Sequence, residues 1–474
     1  MEHRHKKIAI LGFGKEGYSA LRFLRREPRY RHSDIWILDK NENIKLPRGV
    51  FSQLGEHYRE GLDRFDLVIR SPGICYKASN ATSPTRIFFE HCPAPIIGVT
   101  GTKGKGTTST LIYKILREWR MENGEWNKVF LVGNIGKPAL DILPKLDKKS
   151  IVVYEMSSFQ LVDLRQSPHI AVALMITSEH LDWHKNVKEY RDAKSNIVRY
   201  QQAKDFAVLA QDYPASRAFA KLTKTSIFSF TRSAALKKDY IRRSSNLILR
   251  GAWVEDGWFY FSDGKKKEKI CATADLQIPG EHNWENVGAA ITVAKILKVP
   301  NGVIAETIRR FKGLEHRLEF VAKKDGIRFY NDSYSTTPET AIAAIRAFKE
   351  PKILILGGSS KGSDFRELGE VISKSGSIRG IIGIGVEWKR IKEAIPTRRR
   401  KAISADRISS QAAGHESAIP VVENCKTMNQ IVRAARKLAK PGDVVLLSPG
   451  CASFGMFKNY SDRGVQFKRE VNGV

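Results

Sequence analysis

The feature that most constrains this chain is a glycine-rich segment, GVTGTKGKGTT, at residues 98–108. It follows a short apolar run that is typical of a buried strand. The residues after it carry apolar side chains at helical spacing, at Leu111, Ile112, Ile115, Leu116 and Trp119. A glycine-rich turn between a strand and a helix exposes backbone N–H groups at the helix N-terminus, where the helix dipole also favours an anion. The segment therefore predicts a phosphate-binding loop, in which Lys105 reaches the outer phosphates of a nucleotide and a following hydroxyl meets Mg²⁺.

The spacing of this loop differs from the strict P-loop pattern. Its first glycine is displaced, and Gly106 directly follows the lysine, where Ser or Thr is usual. A glycine-rich surface turn without a ligand is the alternative interpretation. Phosphate binding is favoured because strand, turn and helix occur in the required order.

Apolar runs of strand length alternate with helix-like segments along the chain. Its 474 residues fit about three domains of ~150 residues each. The pattern predicts an α/β fold. We expect a Rossmann-like N-terminal domain, a P-loop-type central ATPase domain and a Rossmann-like C-terminal domain, at residues 1–94, 95–313 and 314–474. Within the central domain, Asp-Gly pairs at 256–257 and 263–264 predict a hairpin excursion over residues 244–277.

Composition argues against several other classes of protein. No apolar stretch approaches the ~20 residues of a membrane-spanning helix, and too few apolar residues follow the basic N-terminus for a signal peptide. We therefore expect a cytoplasmic protein without membrane insertion. The five cysteines include no C-x-x-C pair, which argues against a disulfide framework or a zinc ribbon. The formal charge of +30 would suit nucleic-acid binding, but the basic residues are dispersed and do not alternate with aromatic residues, so we expect no nucleic-acid partner.

A second glycine motif lies near the N-terminus. Gly12, Gly14 and Gly17 form a G-x-G-x-x-G pattern after an apolar run, and Asp39 ends the next strand-like run. Read alone, this pattern is a dinucleotide-binding fingerprint. An NAD-dependent oxidoreductase is therefore a second functional hypothesis, although one such pattern gives it only weak support.

The loop at residues 98–105 resembles the ATP loop of the Mur ligases and of the folylpolyglutamate synthetases. Further segments resemble Mur ligase motifs in the same order along the chain. They are YEMSSFQL at 154–161, TSEHLD at 177–182, AK at 193–194, GEHN at 280–283 with Asn286, HRLE at 316–319 and NDS at 331–333. The Mur ligases are favoured over the synthetases, which should lack the ~94 residues before the loop.

The resemblance implies ATP and two Mg²⁺ ions. It implies catalytic roles for Lys105, Glu155, His180 and Lys194, with Lys194 carbamylated. The expected metal ligands are Thr107, Glu155, His180 and the Lys194 carbamate, because a carbamate turns a lysine beside a cationic site into an anion with two oxygen ligands. The residues implied in ATP binding are Gly101, Thr102, Lys103, Gly104, Lys105, Gly106, Thr107, Asn283, Asn286, Arg317 and Asp332.

Within the family, the sequence is most similar to members that add glutamate to UDP-N-acetylmuramoyl-L-alanine. In those members a turn like 12–17 holds the uridine diphosphate, and loops like 71–74 and 132–136 also contact the sugar nucleotide. The residues implied in this binding are Gly12, Phe13, Gly14, Lys15, Asp39, Ser71, Pro72, Gly73 and Asn134. The segments at 356–365 and 448–460 resemble the amino-acid pocket, and the residues implied there are Thr337, Lys361, Ser453, Phe454 and Tyr460.

These resemblances predict a monomeric, ATP-dependent amide-bond ligase that works through an acyl phosphate in peptidoglycan precursor synthesis. The partners implied are UDP-N-acetylmuramoyl-L-alanine, glutamate and ATP, with domain closure near residues 313–316. Two residues depart from the glutamate-adding pattern: Tyr334 stands where lysine is common, and Tyr460 where an unsubstituted phenyl ring is usual. Both belong to the expected acceptor region, so L-glutamate and D-alanyl-D-alanine stay open beside D-glutamate.

Overall fold

The computed structural model describes residues 6–123, 126–134, 136–179, 183–232, 250–359, 362–396, 400–403 and 418–473. The chain forms two compact units. The first comprises Met1–Asp275 and His282–Arg309, and the second comprises Leu276–Glu281 and Arg310–Val474. None of the helices in the described ranges combines the length and the apolar character that a transmembrane helix needs.

The first sheet has five parallel strands in the order β3-β2-β1-β4-β5. Its strands are β1 (Lys7–Leu11), β2 (Asp34–Asp39), β3 (Phe51–Leu54), β4 (Leu67–Arg70) and β5 (Ala81–Thr82), with helices α1 (Lys15–Arg26) and α2 (Pro84–His91). The central strands are apolar runs because a parallel sheet is covered on both faces. Helix α2 begins where the Ser83 side chain accepts a hydrogen bond from the Arg86 N–H and proline takes the first helical position.

The second sheet has nine strands in the order β14-β13-β12-β11-β10-β9-β6-β8-β7. Its strands are β6 (Ile96–Thr100), β7 (Lys128–Gly133), β8 (Ser150–Glu155), β9 (Ile170–Ala173), β10 (Phe206–Ala210), β11 (Ser226–Thr231), β12 (Gly251–Glu255), β13 (Trp258–Ser262) and β14 (Lys267–Ala272). The helices that follow them are α3 (Lys105–Asn123), α4 (Ser158–Leu161), α5 (Val187–Arg199), α6 (Pro214–Ala218), α7 (His282–Ile296) and α8 (Asn301–Arg310). The predicted hairpin excursion is confirmed in its described part, because β12, β13 and β14 pair antiparallel. Asp256 and Gly257 turn the first of these hairpins with positive φ values of 49° and 74°.

Strand β9 ends at Ala173, although the apolar run that begins at Ile170 continues to Ile176. The backbone just beyond β9 bonds to the last residue of β6 and then to the glycine-rich loop. The Leu174 N–H donates to the Thr100 carbonyl at 2.9 Å, and the Thr102 N–H donates to the Met175 carbonyl at 2.6 Å. This end of the strand therefore supports the glycine-rich loop.

The third sheet has seven strands in the order β15-β16-β21-β17-β18-β20-β19, and all pairs are parallel except β15 with β16. Its strands are β15 (Glu319–Lys324), β16 (Ile327–Asn331), β17 (Lys352–Gly357), β18 (Ile378–Ile384), β19 (Arg400–Ile403), β20 (Ile419–Val422) and β21 (Val444–Leu447). Its helices are α9 (Pro338–Arg346), α10 (Arg366–Lys374), α11 (Trp388–Ala394), α12 (Met428–Leu438) and α13 (Tyr460–Gly473). With it, the α/β class is confirmed.

The first two sheets share one hydrophobic core. A single cluster of buried side chains includes Ile10 of β1, Phe88 of α2, and Val132 and Tyr154 of the second sheet. The Phe88 and Tyr154 rings lie 5.6 Å apart, and the Tyr154 hydroxyl lies 3.1 Å from the Thr85 hydroxyl. This core accounts for the grouping of both sheets in one compact unit. The domain boundaries at residues 95 and 314 stay predictions.

Candidate active site

The glycine-rich loop connects the end of β6 to the start of α3, which begins at Lys105. Gly104 has a φ of +86°, and a Cβ atom there would lie 2.3 Å from the Asn286 side-chain oxygen. A Cβ atom at Gly101 would lie 2.8 Å from the Leu174 Cβ. Both positions therefore need glycine, and the loop is pressed between α7 and the segment that follows β9.

Helix α7 brings two predicted ATP-binding residues to the start of α3. The Thr108 hydroxyl donates to the Asn286 side-chain oxygen at 3.1 Å, and the Asn286 amide donates to the Asn283 side-chain oxygen at 2.8 Å. Asn286 therefore lies directly against the start of α3, and Asn283 lies next to Asn286.

Two lysine side chains converge on the same carbonyl oxygen of the loop. The Lys105 Nζ lies 2.9 Å from the Gly101 carbonyl oxygen and 3.0 Å from that of Thr102. The Lys194 Nζ, presented by α5, lies 2.9 Å from the same Gly101 oxygen and 3.3 Å from the Thr100 hydroxyl. Burial, together with the nearby Lys105 charge, holds the pKa of Lys194 well below its usual range. The site therefore favours a neutral amine at Lys194.

A buried carboxylate lies at the end of the adjacent strand β8. Glu155 is 2% exposed and is the register partner of Val99 in β6. Its Oε1 accepts a hydrogen bond from the Asn134 amide at 3.2 Å, and its Oε2 is buried with no hydrogen-bond partner among the described residues. Leaving such an oxygen unpaired is costly unless a cation binds it. The carboxylate therefore fits a hard metal ion such as Mg²⁺, which prefers oxygen ligands.

Tyr190 is a residue of this site that the sequence analysis missed. It is fully buried, and its hydroxyl lies 2.9 Å from the Thr102 hydroxyl, which also accepts a hydrogen bond from the Thr177 N–H at 3.0 Å. The Lys194 Nζ lies 4.9 Å from the centre of its ring. Tyr190 precedes Lys194 by one helical turn on α5, so the i, i+4 spacing was an available signal.

The N-terminal glycine motif has the close approaches that its pattern predicts. Gly12 has a φ of +90°, and a Cβ atom there would lie 2.9 Å from the Ser71 side chain. The Ser71 hydroxyl donates to the Gly12 carbonyl at 2.8 Å. The Asp39 carboxylate accepts hydrogen bonds from the Phe13 N–H at 2.6 Å and the Asn41 N–H at 2.9 Å. The turn, Asp39 and Ser71 therefore form one cluster at the carboxyl edge of the first sheet.

In the second unit, the predicted nucleotide residue Asp332 is buried at the end of β16. Its carboxylate accepts hydrogen bonds from the Leu318 N–H at 3.1 Å and the Ser448 hydroxyl at 2.8 Å. Burial raises the pKa of Asp332 to about 7. The Arg317 guanidinium lies 4.0 Å from the centre of the exposed Tyr334 ring, and Tyr334 packs edge-on against Tyr460 at 5.0 Å.

Arg463 is a second residue that the sequence analysis missed. Its side chain is fully buried, and it donates hydrogen bonds at 2.9 Å to both the hydroxyl and the carbonyl of Ser333. It also donates to the Cys451 carbonyl at 3.3 Å. Arg463 thereby joins the turn that carries Asp332 to the loop that carries Ser453.

Some of the remaining predicted residues lie within the described ranges and others do not. His180 and Lys361 lie outside the described residues. Thr337 forms the start of α9, where its N–H donates to the Thr340 hydroxyl at 3.3 Å. Phe454 is exposed and Ser453 is buried in the loop after β21. Their roles in amino-acid binding stay predictions.

Comparison with known proteins gives the same family along the whole chain. Family models describe a Mur ligase middle domain at residues 99–294 and a Mur ligase, glutamate ligase domain at residues 316–451. A UDP-N-acetylmuramoylalanine--D-glutamate ligase from Acetivibrio thermocellus is 36% identical over 489 residues, covering 99% of this chain and 97% of the relative. Its similarity extends through the first sheet, which precedes both family-model matches.

Solved structures agree on the fold. The UDP-N-acetylmuramate-alanine ligase of Thermotoga maritima has a TM-score of 0.57 at 16% identity, covering 99% of this chain and 100% of that one. The MurF ligase from the same organism, in complex with ADP, has a TM-score of 0.55 at 17% identity, covering 100% and 96%. The predicted three-domain architecture with a central ATP-binding domain is thereby confirmed, and this chain belongs to the Mur ligase family.

Proposed function

We propose that this protein uses ATP to join D-glutamate to UDP-N-acetylmuramoyl-L-alanine through an acyl phosphate. The observation that carries the proposal is that Lys105 and Lys194 converge on the loop after β6, while Glu155 ends the adjacent parallel strand β8. One oxygen of this carboxylate has no hydrogen-bond partner among the described residues. The full-length similarity to a ligase named for this reaction supports the choice of substrates.

Lys105 supplies positive charge to the transferring phosphoryl group. Its amine contacts two loop carbonyls and can exchange them for phosphate oxygens, while the N–H groups at the start of α3 face the same anion. One Mg²⁺, held by Glu155 with Thr107, would neutralise charge on the phosphates. A second Mg²⁺, held by His180 and the carbamate of Lys194, would orient the substrate carboxylate.

Lys194 is the residue that we expect to be carbamylated. Its buried, neutral amine attacks the carbon of CO2, a C–N bond forms, and a proton is lost to solvent. The product carries one negative charge on two oxygens. That charge suits a position beside Lys105 better than a second ammonium group does, because like charges at such short range repel each other.

The reaction then needs two displacement steps. The carboxylate of the sugar substrate attacks the γ-phosphorus of ATP, the bond to ADP breaks, and an acyl phosphate forms. The glutamate amine attacks the acyl carbon, the C–O bond to phosphate breaks, and the nitrogen loses a proton. In the second unit, we assign Arg317 and Asp332 to the nucleotide and Lys361 with Ser453 to the carboxylates of glutamate.

The test is phosphate release from ATP in the presence of UDP-N-acetylmuramoyl-L-alanine, with D-glutamate, L-glutamate or D-alanyl-D-alanine as acceptor. Turnover is expected with D-glutamate alone, and it should be abolished in Lys105→Ala while the circular dichroism spectrum is unchanged. Preference for either other acceptor would replace the proposed substrate. Near-normal turnover in the folded variant would refute the role of the loop.

A further inference from the structure

A cavity of about 460 Å³ lies within the first unit, beside the carboxyl end of β4. Its wall includes Arg70, Lys77 and Arg86 from the first sheet and its connections, and Asp163, Arg165 and Trp183 from the second. None of the described residues assigned above to ATP or the sugar nucleotide lines it. The volume is within the range of small-molecule sites, ~300–1,000 Å³.

The wall carries four cationic side chains and one carboxylate. Lys77 pairs with Glu189 at 2.6 Å and Arg86 pairs with Glu90 at 3.0 Å. Both pairs are exposed, so each is worth only about 0–1 kcal/mol and can open for a better partner. Arg165 donates a hydrogen bond to the Tyr200 hydroxyl at 2.6 Å. Three cations can therefore turn towards an anion in the cavity.

Arg70 and Asp163 form the fixed part of the wall. Arg70 is almost completely buried and donates to the Asp163 Oδ2 from two nitrogens, at 3.0 and 2.7 Å. The other carboxylate oxygen of Asp163 is buried without a hydrogen-bond partner among the described residues. It can accept a hydrogen bond from a ligand that also carries a donor.

We propose that this cavity binds a small organic anion that carries a phosphate or carboxylate group together with a hydroxyl or amine donor. The anionic group faces Lys77, Arg86 and Arg165, and the donor meets Asp163.

Trp183 connects the cavity to the loop assigned to the sugar nucleotide. Its indole N–H donates to the Gly73 carbonyl at 3.0 Å, and its ring lies 4.9 Å from the Phe159 ring. A ligand that shifts Trp183 therefore acts on Gly73. This regulatory consequence rests on the proposed function, whereas binding in the cavity does not.

Cys75 provides a reporter inside the wall. It is the one exposed cysteine of the five in the chain, all of which lie within described segments. Burial raises the pKa of the half-buried Cys92 thiol to about 11, so Cys75 should react first with N-ethylmaleimide. The labelling rate at Cys75, followed by peptide mass spectrometry, needs neither ATP nor turnover.

Glycerol 3-phosphate is the probe, and glycerol is its uncharged control. When the glycerol 3-phosphate concentration is about four times its dissociation constant, roughly one-fifth of the cavities stay free, so labelling of Cys75 should slow roughly fivefold. Glycerol should not slow it. Arg86→Gln with Arg165→Gln should remove the protection, whereas Lys185→Gln with Lys188→Gln, which removes two exposed charges outside the wall, should keep it.

Three outcomes would overturn the proposal. They are unchanged labelling of the wild-type protein at tens of millimolar probe, full protection in the Arg86 and Arg165 double variant, and equal protection of Cys75 by UDP-N-acetylmuramoyl-L-alanine alone, to which the probe adds nothing. The last outcome would assign the cavity to the substrate site. The wild-type comparison of probe and glycerol decides the first point even if the double variant does not fold.

Discussion

Replacing Arg70 with leucine tests how the two sheets of the first unit are held together. The guanidinium is 2% exposed and the Asp163 side chain is 27% exposed. Beyond Asp163, Arg70 donates to the carbonyls of Pro72, Ile74 and Phe159 at 3.2–3.4 Å. Breaking a buried ion pair costs about 3–5 kcal/mol. We expect a loss of about 3 kcal/mol in the free energy of unfolding, at the low end of that range because water can reach Asp163.

The assay is urea unfolding of the full chain, in which the transition of the first unit is followed. Wild type, Arg70→Leu, Asp163→Asn and the double variant form a double-mutant cycle. Asp163→Asn alone should cost about 1–2 kcal/mol, because one acceptor oxygen remains for Arg70. The two effects should not add, and a coupling of about 1–3 kcal/mol is expected for groups in contact. Arg70→Leu should also raise the KM for UDP-N-acetylmuramoyl-L-alanine, since the loop after β4 loses two anchors. Wild-type stability in Arg70→Leu, or strictly additive effects, would show that the pair does not join the sheets.

Three further changes test other parts of the site. Lys194→Arg keeps a long basic side chain but cannot form a carbamate, so phosphate release should fall about 100-fold or more. Depleting CO2 should likewise inactivate the wild-type enzyme until bicarbonate is restored. Because burial raises the pKa of Asp332 to about 7, its stabilising contribution is complete below the unfolded-state pKa near 4 and is lost as pH rises to 7. The free energy of unfolding of Asp332→Asn, relative to wild type, should therefore rise by about 4 kcal/mol between pH 4 and pH 8, at ~1.4 kcal/mol per pKa unit. Urea unfolding across that pH range measures this difference, and a difference that does not change with pH would contradict the prediction. Tyr334→Leu should raise the KM for ATP roughly 2–5-fold by removing a cation–π contact of ~0.5–1 kcal/mol with Arg317, whereas Tyr334→Phe should not.

Much of the fold follows from local patterns in the sequence. The helix at Met428–Leu438 follows from local pattern alone, because apolar periodicity and a Thr427 cap agree there. The glycines of the phosphate loop have the close contacts that the pattern predicts, because a strand-to-helix turn is a local structure. Lys194 depended on family resemblance, since a lysine in an amphipathic helix otherwise predicts a surface position.

Other features depend on contacts between distant parts of the chain. Arg70 and Arg463 are buried because the carbonyl groups of Phe159 and Ser333, which are distant in sequence, accept their hydrogen bonds. No local pattern indicates such partners. Tyr190 meets Thr102 across 88 positions of sequence. The core shared by the first two sheets is also not evident from the sequence, because the Pro-Ala-Pro segment at 93–95 is typical of a linker.

That shared core has a consequence for cutting the protein apart. A fragment ending at residue 94 would separate Phe88 from Tyr154 and leave both rings partly exposed to water, at about 1.5–3 kcal/mol for each large apolar side chain that becomes fully exposed. Neither piece keeps the surface that the other covers. The first two sheets should therefore melt in a single calorimetric transition, and residues 1–94 should aggregate when they are expressed without the second sheet.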